Sequence, residues 1–292
     1  MDSHRFVPGP ARINVRKKRH RIFRPTREVG SIEDRPDLDS MTFVQQLVKM
    51  GLAGKKTSIS TQVLRDSVGQ LARRNPESTM GITGKYLLHA LDAGSVEECA
   101  SEVFGLDTSR PNIEIDPELS MIAIDEACER ISQAAKKGAR IIFASSRPAS
   151  TLPMFIEISR LCSEAGAKIL ESFDNTSAFI ADGRKGRKIT WIGSVAVMSD
   201  GESLLSTNDA KAADDLLFHL PRPDLVVADH IFAGAALTAG FPTVAFTGLD
   251  SLAVAVASVP EGNCLAVPMS LNQPSTHYGI IANYAKSYFE NS

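Results

Sequence analysis

Residues 224–246 read DLVVADHIFAGAALTAGFPTVAF. The apolar run 225–228 is short and bounded by Asp224 and Asp229, as a buried strand is. Residues 231–239 are small and apolar and end at Gly240, where a helix stop belongs. Pro242 then leads into a second apolar run, 243–246. Strand, helix and strand within 23 residues, both strands apolar on each side, predict parallel strands covered by helices.

The same rhythm extends in both directions. Downstream, 251–258 reads as a helix and 264–267 as a strand. Upstream, Asp116-Pro117 supplies a helix cap with proline at the first helical position. Met121, Ile124, Cys128, Ile131 and Ala135 then form one apolar stripe that stops at Gly138. A strand at 140–144 follows, then a helix carrying Phe155, Ile158, Cys162 and Ala165, then a strand at 168–171. In the middle, strand-like runs 177–180 and 188–197 flank a Gly-rich connection, 182–186. The fold expected for residues 113–292 is α/β: a Rossmann-like, doubly wound, mostly parallel sheet with a β-hairpin insertion.

Residues 41–112 have helical spacing instead, with Val44, Leu47, Val48 and Leu52 and then Val63, Leu64, Val68 and Leu71. They predict a small N-terminal helical subdomain of three or four short helices. Residues 1–40 have no apolar period. The first thirty hold nine Lys or Arg against Asp2 and Glu28, whereas the whole chain has 32 basic and 34 acidic residues and a net charge of −2. This arm reads as a disordered tail, as upstream sequence before a start at Met41, or as a tether for nucleic acid. The chain as a whole is no polyanion binder.

Forty-three per cent hydrophobic and 23% charged residues exclude a fibrous or wholly disordered chain. The longest apolar stretch is broken by Asp229, His230, Gly240 and Pro242, so no membrane span is expected. Cys99, Cys128, Cys162 and Cys264 are dispersed and form no C-x-x-C, which argues against a zinc site or a disulfide scaffold and points to a cytoplasmic setting.

Ligands of open parallel sheets bind beyond the carboxyl ends of the strands, where strand order reverses. The loops there are Ser145-Ser146-Arg147-Pro148, Glu171-Ser172-Phe173-Asp174, Asp229-His230, Thr247-Gly248-Leu249-Asp250 and residues 268–272 with Asn272. Ser145, Ser146 and Arg147 read as a phosphate or carboxylate cradle, or as a serine cap beside an exposed arginine. Asp229-His230 is the sharpest pair. His230 suits general acid–base work, with Asp229 orienting it or binding Mg²⁺; the alternative is an Asp cap and a packed histidine. Asp250 reads as a cap or a cation ligand, Asp200-Gly201 as a turn, and His89, His219 and His277 as structural. Residues 51–57 and 81–86 echo a P-loop without its spacing, and no G-x-G-x-x-G, G-x-S-x-G or H-E-x-x-H occurs.

Residues 138–148, 195–201 and above all 224–235 resemble a group of actinobacterial α/β proteins carried under the label "phosphatase", over roughly residues 115–272. The resemblance implies hydrolysis of a small phosphorylated metabolite. Ser145, Ser146, Arg147, Asp250 and Asn272 would then contact substrate, and His230 with Asp229 would carry the catalysis. One departure stands out. Where that group is expected to have Thr-Gly-His-Pro, this chain has Ser145-Ser146-Arg147-Pro148, which keeps a cation and removes an acid or base. A non-catalytic binding module for an anionic metabolite or partner protein is the competing reading.

Because residues 1–40 lack apolar periodicity, a chain starting at Met41 should melt within a few degrees of the full chain in a thermal scan.

Overall fold

The computed structural model describes residues 40–171, 187–259 and 262–290. The basic arm, the loop of Ser172, Phe173 and Asp174, the strand expected at 177–180 and the connection at 182–186 lie outside those residues.

Asp116 caps α5 (Pro117–Lys136), its carboxylate accepting from the N–H groups of Glu118 and Leu119. The stripe faces inward: Ile124, Cys128, Ile131 and Ala135 are buried and Met121 half-buried. Gly138 leaves the helix at φ 69°, and β3 (Arg140–Ser145) follows. Next come α6 (Pro148–Glu164) and the two-residue β4 (Lys168–Ile169).

The run 188–197 is not one strand. Gly193 and Ser194, at φ 54° and 67°, fold it back into antiparallel strands β5 (Lys188–Ile192) and β6 (Val195–Ser199). Two consecutive left-handed residues twist a tight turn in the same sense as the strands it joins. The short β7 (Leu204–Leu205) also runs antiparallel to β6. Then α7 (Ala210–His219), β8 (Leu225–Asp229), α8 (His230–Thr238), β9 (Thr243–Thr247), α9 (Leu252–Ser258), β10 (Cys264–Pro268) and α10 (Gly279–Glu290) complete the order.

The central sheet runs β10-β9-β8-β3-β6-β5, with β4 also on β3 and β7 also on β6. Strands β10, β9, β8, β3, β4 and β6 are parallel; β5 and β7 are not. Every residue of β6, β8 and β9 is buried, as a sheet covered on both faces requires. From β3 the chain builds to one side, through β4 and β6, and then returns to build β8, β9 and β10 on the other. Strand order therefore reverses between β3 and β8.

The N-terminal segment contains α1 (Ser40–Met50), α2 (Thr61–Ala72), the single turn α3 (Pro76–Thr79) and α4 (Ala93–Phe104). It also contains a strand that helical spacing did not predict. β1 (Gly54–Ser60) pairs antiparallel with β2 (Asn112–Ile115), so Ile59 sits opposite Ile113. The partner lies some fifty residues downstream, beyond the reach of a local pattern. Lys55, Lys56 and Thr57 thus belong to a strand, and Val63, assigned to the apolar stripe, is 51% exposed. Helices α2 and α4 pack on α9, and α1 on α5, so one core runs through the described residues.

All four cysteines are buried and none forms a disulfide among the described residues, and burial pushes the Cys128 and Cys162 thiols up to about 12. Among the described residues no helix is long and apolar enough to cross a membrane.

Gly81, at φ 75°, is where the α3 region meets α7: a Cβ there would come within 2.3 Å of the Ala210 Cβ. Gly81→Ala should cost about 2–4 kcal/mol, from left-handed strain and overpacking together. The reading is a lower urea midpoint at unchanged m-value.

Candidate functional site

The register of β3 against β8 sets Ala144 beside Ala228, so the residues leaving the two strands emerge together. At the centre is the Asp229 carboxylate, fully buried. It accepts from the Ser145 hydroxyl at 3.0 Å, the Ser146 N–H at 2.5 Å and the Thr151 hydroxyl at 2.5 Å. Burial raises the Asp229 pKa, and these three donors and the Arg147 charge pull against that rise. The Ser146 hydroxyl accepts from the Ile231 N–H and donates to the Asp229 carbonyl. It thereby satisfies the first turn of α8, which Asp229 leaves without a side-chain cap.

These contacts change the roles expected from sequence. Ser145 and Ser146 are both sealed from solvent; their hydroxyls hold Asp229 and α8 and do not line an open cradle. Asp229 stands at the N-cap of α8 without a side-chain cap bond, its carboxylate does not bond to His230 among the described residues, and its oxygens are buried. Thr151, the third donor, was missed. It stands four residues after Arg147 in the first turns of α6, and its hydroxyl also reaches the Arg147 carbonyl at 3.3 Å.

His230 opens α8 at φ 45°, a left-handed conformation that costs a non-glycine residue about 1–2 kcal/mol. That backbone directs its ring toward the β3 loop. Nε2 lies 3.0 Å from Arg147 Nη2, while Nδ1 is buried without a partner. An arginine only donates, so Nε2 is the acceptor and the proton of the neutral ring sits on Nδ1. Burial first, and the neighbouring Arg147 second, push the His230 pKa down to about 4; Asp250 opposes them.

Arg147 also donates through Nη2 to Asp250 Oδ2 at 3.3 Å, and Asn272 Nδ2 donates to the same oxygen at 3.3 Å. Asp250 does not cap α9, whose cap position is Ser251. Its loop is held by Ser251, whose hydroxyl accepts from Gly248 N–H and contacts Thr247. Gly248 has no room for a side chain: a Cβ would lie 2.7 Å from Asp250 Oδ1 and 3.2 Å from the Met269 carbonyl. The loop after β10 is braced by buried Tyr278, whose hydroxyl donates to Ser270 O and accepts from Gln273 N–H.

Arg147, His230, Asp250 and Asn272 therefore converge from the carboxyl ends of β3, β8, β9 and β10. Arg147 Nη2 is saturated, Nε is buried without a partner, and Nη1 has none among the described residues. Among those residues no three His, Cys, Asp or Glu side chains group closely enough to hold a metal ion. Asp200-Gly201 is a turn, its carboxylate accepting from Glu202 and Ser203 N–H. His89 and His277 bond to the carbonyls of Val256 and Met50.

A family model described as Phosphatase matches residues 38–290. The chain belongs to that family. A Streptomyces coelicolor protein named as a phosphatase is 28% identical over 183 residues, which is 60% of this chain and 64% of the relative's length. The family match reaches from α1 to the end of α10, so it takes in all four converging loops.

His230 gives the site a pH signature. Its folded-state value, about 4, lies below the ordinary 6.5, so the unfolded chain holds the extra proton between the two. Its contribution to stability is full above pH 6.5 and is lost as pH falls toward 4, by on the order of 3 kcal/mol. His230→Asn keeps a residue that tolerates left-handed backbone and removes the titration. Urea unfolding from pH 7 to pH 4 should be shallower for that variant by about this amount.

Proposed function

We propose that the protein is a cytoplasmic phosphomonoester hydrolase, a phosphatase of small phosphorylated metabolites. It works in the crevice between β3 and β8, the switch point of a Rossmann-like doubly wound sheet. The observation that carries this reading is the Arg147 guanidinium, fixed by His230 and Asp250 with Nη1 unspent, at that crevice. Membership of the Phosphatase family supports it, and four buried cysteines outside any disulfide support a reducing compartment.

Arg147 donates to the non-bridging oxygens of the phosphate and takes up charge as the ester bond lengthens. The dianion draws the guanidinium toward itself and lifts the suppression of His230, whose Nε2 then gains a proton. Water attacks phosphorus, and the bond from phosphorus to the ester oxygen breaks. His230 gives its proton to the leaving oxygen, and Asp250 takes one from the attacking water. Proton transfer from Asp250 to His230 restores the site. Asn272 holds Asp250, while Asp229, Ser145, Ser146 and Thr151 position the two loops. A Mg²⁺ ion, if used, would meet Asp250 and the phosphate, since Asp250 is the accessible carboxylate here.

One observation favours a binding module instead: the His230 Nε2 lone pair is engaged by Arg147, so that nitrogen holds no proton to give.

A panel of phosphate monoesters, assayed with and without Mg²⁺, separates the two. Under the enzyme reading Arg147→Ala raises KM by about 10- to 100-fold, for a lost charged hydrogen bond of about 1.5–3 kcal/mol. His230→Asn lowers kcat by about 10²–10⁴. Thermal stabilisation by phosphate esters with no turnover establishes the binding module.

A further inference from the structure

A cleft of about 350 Å³ opens beside Asp250. One wall is α2 and the turn into α3, with Gln70, Asn75 and Glu77; the other is the β9–α9 loop, with Leu249 and Asp250. Asp250 thus belongs both to this cleft and, through its 3.3 Å contact, to Arg147. Its size falls at the lower end of small-molecule sites, about 300–1,000 Å³.

The lining has a definite chemistry. Its floor is apolar, from Leu71 and Met80 beside Leu252, all buried. Its rim offers amides, hydroxyls and carboxylates, and among the described residues no Lys, Arg or His contributes to it. Arg74, next to Asn75 in sequence, turns away and spends its guanidinium on the carbonyls of Leu71, Leu87 and Ala90. The Asn75 side chain is held from both ends: Nδ2 donates to Gln70 Oε1 at 2.9 Å and Oδ1 accepts from Glu77 N–H. That leaves the Gln70 amide N–H groups and the Glu77 carboxylate without a partner among the described residues. Arg74 and Met80, which bracket this segment, both take left-handed backbone, at φ 56° and 53°. Strain in two non-glycine residues that flank the rim residues Asn75 and Glu77 is retained where the surroundings fix it, and such residues gather at ligand sites.

We propose that this cleft selects the substrate: it takes the organic part of the phosphomonoester, and it admits a hydroxyl-bearing group without a second negative charge, of the sugar or polyol class. The proposal rests on the phosphatase reading. Phosphate lies at Arg147, and the organic part extends past Asp250 over the Leu71 and Met80 floor. Its hydroxyls donate to Glu77 and accept from Gln70. A second phosphate or a carboxylate in the same place would face Glu77 and Asp250, and Arg147, the cation beside Asp250, is already engaged by the first phosphate, so rejection of anionic groups follows.

The test compares kcat/KM for a hexose monophosphate, whose sugar is uncharged, the corresponding bisphosphate and a phosphorylated hydroxy acid. The full-length protein should prefer the hexose monophosphate by about tenfold or more. Glu77→Lys should move the ratio toward the bisphosphate by about tenfold, and Gln70→Ala should lower the preference for the hexose ester over methyl phosphate. Turnover with ratios that neither variant moves overturns the cleft while leaving the phosphatase reading intact. If no ester turns over, the phosphatase reading fails, and calorimetric binding of the same three esters decides: the same ranking, shifted by Glu77→Lys, upholds the cleft, and equal or absent binding overturns it.

Discussion

The buried carboxylate of Asp229 organises the functional edge of this protein. A carboxylate removed from water is unfavourable by several kcal/mol unless donors surround it. Here Ser145, the Ser146 backbone and Thr151 supply those donors, and all three come from the strand end and helix across the crevice. Satisfying one charge therefore fixes the β3–α6 loop against the β8–α8 junction. Arg147 and His230, each adjacent to a member of this network, are brought within 3.0 Å as a consequence.

That arrangement makes the acid–base behaviour of the site a property of the pair. His230 is buried beside a permanent cation, and both conditions favour its neutral form. An anion engaging Arg147, as proposed, would change one of those conditions and so couple ligand binding to proton uptake. The arginine that replaces the histidine of the Thr-Gly-His-Pro loop expected by resemblance is thus more than a retained positive charge. It holds His230 in one tautomer and sets when that ring can accept a proton.

The second constraint is the way the N-terminal segment closes over the β9 end of the sheet. Its strand β1 finds β2, its helices α2 and α4 lean on α9, and the turn around α3 faces Asp250. A segment that reads as a separate helical unit is part of the wall beside the crevice. Its amides and its carboxylate line the cleft that shares Asp250 with Arg147, a placement that motif inspection does not suggest.

Local pattern determined the alternation of elements from α5 to β10. Caps such as Asp116, left-handed glycines such as Gly138 and short apolar strands act within a few residues of themselves. The same logic placed Arg147, His230, Asp250 and Asn272 at strand ends. It did not assign their partners, because a hydrogen bond between residues 83 positions apart, such as Arg147 to His230, leaves no periodic trace. It also missed β1, whose partner lies in β2, and the reversal at Gly193, where two left-handed residues broke an otherwise continuous run. Sequence made Ser145, Ser146 and Asp229 look like groups facing a ligand. Only tertiary structure turned them inward, because the parallel pairing of β3 with β8 sets donors and carboxylate face to face in a buried space, where their first demand is each other.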